Sequence, residues 1–299
     1  ALTTGAAKVA GGSPWLWADE RVASSVDVLF VDEAAQMSLA NVLAASQAAT
    51  SIVLLGDPQQ LDQPQRGVHP PGAEVSALAH LLNGHATIAA DQGLFLSETR
   101  RLHPDICAFT SELFYEGRLV SRPENAVQRI NTGSQFDGAG LRFIPVEHSG
   151  NQNESLEEVE RVFASFGGLL QTGATWTDKR GETRTLNLGD ILIVAPYNAQ
   201  VSALKENLPA GARVGTVDKF QGQEAPIVLY SMATSTPEDA PRGMEFLYSL
   251  NRLNVAVSRA QCVAVLVASP ALFLVQCKTP RQMELANAFC RYLEMACPV

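Results

Sequence analysis

The chain has 299 residues with 22 Lys+Arg against 31 Asp+Glu, a net charge of −9, 46% hydrophobic residues and 18% charged ones. Those proportions exclude a disordered or collagen-like chain and leave room for about two domains. The acidic balance argues against wholesale coating of nucleic acid, although a local groove can be basic inside an acidic protein.

The longest apolar stretch, Cys262 to Val275, is broken by Ser269-Pro270 and falls short of the roughly 18 residues a membrane-spanning helix needs. The start, Ala1-Leu2-Thr3-Thr4, has neither an initiator Met nor the basic-then-apolar pattern of a secretion signal, so a fragment is expected. Cys107, Cys262, Cys277, Cys290 and Cys297 form an odd set without a C-x-x-C pair, which indicates neither a disulfide framework nor a zinc site. A reducing cytoplasm is the expected location.

In chain order, β-branched runs predict strands at Val28 to Val31, Ile52 to Leu55, Leu141 to Val146, Ile191 to Ala195, Ile227 to Tyr230 and Val263 to Val267. Amphipathic segments predict helices near Val75 to Leu82, Pro104 to Tyr115, Leu156 to Leu170, Ala199 to Leu208 and Leu247 to Arg259. This alternation is the signature of a parallel α/β protein. Ser155-x-x-Glu158 predicts a capping box. Thr177 to Glu182 predicts a hairpin turn, and Asp239 to Gly243 a surface loop. Gly and polar residues from Asn83 to Gly93 predict a boundary between a first lobe, residues 1–92, and a second, residues 93–299. His69, His80, His85 and His148 show no ligand spacing, and His103 has no chemistry assigned to it.

Val28-Leu29-Phe30-Val31 runs straight into Asp32-Glu33. Ligands of an open parallel sheet sit outside the carboxyl ends of its strands, where these acids emerge. Phosphoryl transfer needs a metal ion to neutralise charge and a group to activate water, so Asp32 suits the metal and Glu33 the base. Two acids in this position could equally cap the helix that follows. Ile52 to Leu55 likewise delivers Gly56-Asp57-Pro58-Gln59-Gln60, and the Gln60 amide can both donate to a terminal phosphate and accept from water. By itself Gly-Asp-Pro is also a common turn. Arg101 and Arg259 are candidates for transition-state stabilisation, because a guanidinium keeps its charge and matches phosphate oxygens. Arg252 and Arg259 fall on one face of a predicted helix, which suits a phosphate cluster or a solvated face.

Asp32 to Gln36, Gly56 to Leu61, Arg101 to Pro104, Gly215 to Glu224 and Leu253 to Ala260 together resemble, in order, the motifs of superfamily 1 helicases of the nonsense-mediated-decay branch. Pro14 to Trp17 and Phe246 to Asn254 add a resemblance to the carboxyl-terminal helicase part of bacterial RecB-like nuclease–helicase fusions. The resemblance implies two RecA-like parallel-sheet lobes, the first incomplete at its N-terminus, that couple hydrolysis of ATP with Mg²⁺ to 5′ to 3′ movement on a single nucleic-acid strand, DNA rather than RNA. It places Mg²⁺ on Asp32 through water, the catalytic base at Glu33, the γ-phosphate sensor at Gln60 and arginine fingers at Arg101 and Arg259. Asp57, Arg100, Gly222, Glu224 and Arg252 would hold the nucleotide, Glu224 through the ribose hydroxyls. Gly12, Ser13, Tyr197, Asn198, Gln200, Thr216 and Lys219 would contact nucleic acid, and a RecB-like nuclease domain would precede the chain.

Two departures stand out. Relatives place Tyr where this chain has Arg100, so adenine stacking there would fall to a guanidinium face. No G-x-x-x-x-G-K-[ST] loop occurs in the 299 residues, so the chain alone is expected not to hydrolyse ATP. The competing expectations are a non-hydrolysing nucleic-acid or partner-binding module attached to a nuclease, and a small-molecule kinase or other NTPase, which leaves the second-lobe arginines unexplained.

Overall fold

A computed structural model describes residues 7–61, 75–171 and 173–299. His69 lies outside the described residues. The chain divides into two compact units, with the division falling between Phe95 and Leu96.

In the first unit the helix α1 (Pro14–Trp17) precedes strand β1 (Val26–Val31), helix α2 (Leu39–Ser46), strand β2 (Ala49–Leu54) and helix α3 (Ala77–Leu82). The strands pair in parallel, Val26 opposite Ala49 and Val31 opposite Leu54, with α2 as the crossover. Alternation along β1 buries Leu29 and Val31 against Trp17, Val42 and Ala45. It leaves Phe30 65% and Val28 42% exposed on the other face, and the neighbouring Ile52, Val53 and Leu55 are exposed too. Exposed apolar side chains on neighbouring strands favour association.

The second unit is built on a parallel six-stranded sheet of order β10 (Arg213–Thr216), β9 (Ile191–Ala195), β11 (Ala225–Ser231), β12 (Ala260–Ala268), β6 (Gly140–Pro145) and β13 (Cys297–Pro298). In chain order come β3 (Glu98–Thr99), α4 (Pro104–Phe114), β4 (Val120–Ser121), β5 (Arg129–Asn131), β6 (Gly140–Pro145), α5 (Leu156–Leu169), β7 (Thr175–Thr177) and β8 (Thr183–Thr185). There follow β9 (Ile191–Ala195), α6 (Asn198–Asn207), β10 (Arg213–Thr216), β11 (Ala225–Ser231), α7 (Met244–Leu247), α8 (Leu250–Ser258), β12 (Ala260–Ala268), α9 (Pro280–Met295) and β13 (Cys297–Pro298). Strands β9 and β11 are buried along their whole length, as expected of central parallel strands with both faces covered. Strands β5, β7 and β8 form a separate antiparallel sheet. Its β7–β8 turn is the expected one at Asp178 to Glu182, closed by Asp178 N–H donating to Glu182 O at 3.0 Å.

Two local expectations change. Leu247 to Arg259 is two helices, because Ser249 starts a new one by accepting from Arg252 N–H at 3.4 Å while the Tyr248 ring is buried. The capping box at Ser155 is half formed: Ser155 Oγ accepts from Glu158 N–H at 3.2 Å, but the Glu158 carboxylate turns inward. There it accepts from Ser231 Oγ at 2.6 Å and Ala233 N–H at 2.9 Å, and lies 3.1 Å from His148 Nε2. A buried carboxylate requires several donors, and the protein interior supplies more than the helix start does. His148 thereby becomes a core residue; with Nε2 donating to Glu158, its Nδ1 accepts from Ser235 Oγ at 2.8 Å. His103 caps α4, its Nδ1 accepting from Asp105 N–H at 3.2 Å.

Candidate functional site

In the first unit the ends of β1 and β2 are locked together. Ala34 N–H donates to Leu55 O and Leu55 N–H to Val31 O, both at 2.8 Å. Gly56 permits this approach: a Cβ there would stand 3.0 Å from Ala34 N and 3.1 Å from Ala35 N. The two carboxylates emerge at the carboxyl end of β1, and both are exposed. Asp32 Oδ1 accepts from Glu33 N–H at 3.0 Å, and Glu33 itself sits in the left-handed region at φ 52, ψ 40. A non-glycine residue held there costs on the order of 1 kcal/mol. Neither acid side chain caps the short 3-10 turn Ala34–Gln36. At the end of β2, Asp57 Oδ1 accepts from Gln59 N–H and Asp57 Oδ2 from Gln60 Nε2, both at 3.0 Å.

Two exposed carboxylates at a parallel strand end suit a small hard cation that keeps several waters and is completed by phosphate oxygens. Among the described residues no group of three or more His, Cys, Asp or Glu side chains forms an all-protein metal cage.

The second unit gathers a different set. Arg101 Nε donates to Glu224 Oε2 at 2.6 Å and its Nη1 to Ser258 O at 3.0 Å, while Gln261 Nε2 donates to Glu224 Oε1 at 2.9 Å. The expected finger and the expected ribose holder are thus paired with each other, in a partly exposed bridge. Gln261, which orients Glu224, was not anticipated; a polar residue beginning an apolar strand gives no sequence signal for it. Arg259 closes α8 and is only 3% exposed. Arg252 donates from Nη1 to Asp218 Oδ2 at 3.1 Å and lies 4.5 Å above the Phe246 ring, with Arg242 at 3.8 Å from the same ring. Burial raises the pKa of the Tyr197 phenol, outweighing the lowering pull of Thr234 and of both arginines. Arg100 is exposed, and Gly222 turns the chain before β11 at φ +76.

Of the expected nucleic-acid contacts, Gly12, Ser13, Asn198 and Lys219 are exposed and Thr216 half-buried. Two are corrected. Gln200 is fully buried: its Oε1 accepts from Ser155 N–H at 2.8 Å and its Nε2 donates to Ser231 Oγ at 2.9 Å, so its amide is part of the core. Tyr197 is buried against Phe246, with ring centroids 5.5 Å apart, and has no face to offer a base. The first turn of α6 enters the core because its inward side packs under α5.

Residues 73–271, from α3 through β12, match the AAA-domain family. The chain belongs to that family. The chain is 29% identical over 258 residues to a probable helicase of Dictyostelium discoideum, covering 80% of the chain and 24% of that protein. It is 28% identical over 254 residues to the DNA-binding protein SMUBP-2 of Mus musculus, covering 79% of the chain and 24% of the relative. To helicase sen1 of Schizosaccharomyces pombe it is 27% identical over 255 residues, 80% of the chain and 14% of the relative. The chain therefore spans about a quarter or less of each of these relatives. An arterivirus nonstructural protein 10 helicase solved with DNA aligns at TM-score 0.39 and 15% identity, over 80% of the chain and 39% of that structure.

Proposed function

We propose that this chain is part of an ATP-dependent nucleic-acid helicase or translocase, running 5′ to 3′ on a single strand, DNA in preference to RNA, in the cytoplasm. The observation that carries the reading is the interlock of β1 and β2, which presents Asp32, Glu33, Asp57 and Gln60 from adjoining strand ends. The helicase names of its relatives support it.

Mg²⁺ bound with ATP would neutralise charge on the transferring phosphoryl group. Asp32 would hold that ion through water. Glu33, displaced from helical geometry by its left-handed backbone, would orient and deprotonate the attacking water, and Gln60 would answer to the terminal phosphate once released from Asp57. Arg101 and Arg259 would supply positive charge, and Glu224 would exchange Arg101 for ribose hydroxyls. Arg100, Gly222 and Arg252 complete the nucleotide contacts, Arg100 in place of an aromatic residue. Gly12 and Ser13 of the first unit and Asn198, Thr216 and Lys219 of the second would contact the strand. The cradle for the β- and γ-phosphates would come from sequence outside these 299 residues, attached to a RecB-like nuclease.

The test is magnesium-dependent ATP hydrolysis, stimulated by single-stranded DNA. The 299-residue chain is expected to be inactive, and a longer chain that includes a G-x-x-x-x-G-K-[ST] loop active. Glu33→Gln in the longer chain is expected to lower kcat by at least about a hundredfold without weakening nucleotide binding. Hydrolysis by the 299-residue chain that Glu33→Gln abolishes refutes the divided site. Nucleic-acid binding by the longer chain with no hydrolysis establishes the non-hydrolysing module instead.

A further inference from the structure

On the second unit a cavity of about 390 Å³ lies between the end of α6, the turn that leads into β10 and the 3-10 turn Asp218–Phe220. Its charge comes from Lys205, Arg213 and Lys219, its floor from Phe220, and no carboxylate is among its lining residues. That is unexpected in a chain of net charge −9. The volume is within the range of small-molecule sites.

The site is built rather than incidental. Lys219 lies flat along β10 because residue 215 is glycine: a Cβ there would stand 2.6 Å from Lys219 Cδ and 3.1 Å from Phe220 Cε2. Its ammonium donates to Val214 O at 3.3 Å, leaving further N–H donors for a ligand. Arg213 is pinned at both ends, Nη1 donating to Gly189 O at 2.7 Å and Nη2 to Gln223 Oε1 at 2.8 Å. Gln223 Nε2 in turn donates to Lys219 O at 3.2 Å, so the wall carrying two cations is rigid. Lys205 is exposed and makes no ion pair among the described residues. Three cations lining one cavity, none of them in an ion pair among the described residues and two of them held in place beforehand, favour a multiply charged oxyanion.

We propose that this cavity binds a phosphate group, enlarging the single contact expected of Lys219 into a three-cation site. The phosphate belongs either to a nucleic-acid backbone or to free pyrophosphate, and the site rests on the helicase reading only for that choice.

The experiment is amine acetylation of the whole 299-residue chain, read by mass spectrometry at Lys205, Lys219 and the exposed control Lys278, without ligand, with inorganic pyrophosphate, and with a thymidine oligonucleotide. Oligonucleotide binding is followed in parallel by fluorescence anisotropy. At least one ligand is expected to slow acetylation of Lys205 and Lys219 about threefold or more relative to Lys278. Protection by the oligonucleotide assigns the site to a backbone phosphate, and protection by pyrophosphate alone to a free one. Lys205→Glu keeps every hydrogen bond named above; it is expected to abolish the protection of Lys219. For a backbone phosphate it also lowers the slope of log affinity against log salt by about one. Unchanged acetylation at both lysines in both arms overturns the site, even where anisotropy shows that the oligonucleotide binds. Protection by pyrophosphate with no oligonucleotide binding leaves the site standing and removes the nucleic-acid reading.

Discussion

Replacing Gln200 by Ala separates a core amide from a nucleic-acid contact. The side chain is fully buried and bridges α5 to β11, accepting from Ser155 N–H and donating to Ser231 Oγ. Truncation leaves Ser155 N–H, on a residue 1% exposed, without an acceptor, a loss of about 1–3 kcal/mol. The space vacated by the amide adds about 1 kcal/mol, so the expected destabilisation is roughly 3 kcal/mol. Ser231 keeps its bond to Glu158, which limits the damage to one junction. Native-state hydrogen exchange on peptides covering β9 and β11 reads this unit alone. The slowest amides there are expected to exchange roughly a hundredfold faster in Gln200→Ala. Gln200→Glu keeps an acceptor for Ser155 but loses the donor to Ser231 and buries a charge, so it is expected to do no better. Exchange unchanged within about twofold, together with weakened oligonucleotide binding, would refute the burial argument and return Gln200 to the nucleic-acid face.

Three further outcomes follow from the geometry. Burial lowers the His103 pKa below its ordinary 6.5, against the opposing pull of Asp105 and the backbone of Ala126, so folding favours the neutral ring. Its contribution to stability is full above pH 6.5 and is lost as pH falls, and His103→Asn, which keeps a cap for α4, is expected to flatten urea midpoints between pH 7 and pH 5. An undiminished slope in that variant counts against it. Burial raises the thiols of Cys107 to about 11 and Cys262 to about 12, while Cys297 is exposed, so alkylation at pH 8 is expected to modify Cys297 first and spare Cys262 in the folded chain. Early modification of Cys262 would contradict the packing of β12. Glu224→Gln breaks a partly exposed ion pair and is expected to change stability by less than about 1 kcal/mol while weakening nucleotide binding in an active longer chain. A large loss of stability would make Glu224 a structural residue.

The central strands β9 and β11 were legible because they are almost wholly apolar and buried along their length, and β1, β2 and β12 because each holds a run of apolar residues, Val28 to Val31, Ile52 to Leu54 and Cys262 to Ala268. Edge and minor strands were not: β10 is Arg-Val-Gly-Thr and β5 is Arg-Ile-Asn, too short and polar for any period to show. The helix α9 was missed, although Thr279 as cap, Pro280 in the first turn and buried Leu285, Ala288, Phe289 and Tyr292 at helical spacing mark it. The acid pair was readable because a hydrophobic strand delivers it. The fates of Tyr197, Gln200 and Glu158 were not, because each depends on partners far along the chain: Phe246 for the tyrosine, Ser155 and Ser231 for the amide, Ser231 and Ala233 for the carboxylate.

The left-handed backbone of Glu33 has an evolutionary consequence. At φ 52, ψ 40 glycine would relax the turn and asparagine would fit it better, so selection for thermal robustness alone would drift away from glutamate at this position. A lineage that had abandoned its chemistry would gain from that drift, on the order of 1 kcal/mol. The base role proposed for Glu33 requires an acidic side chain there in spite of that cost, so surveying position 33 across descendants of this gene would distinguish living enzymes from retired ones.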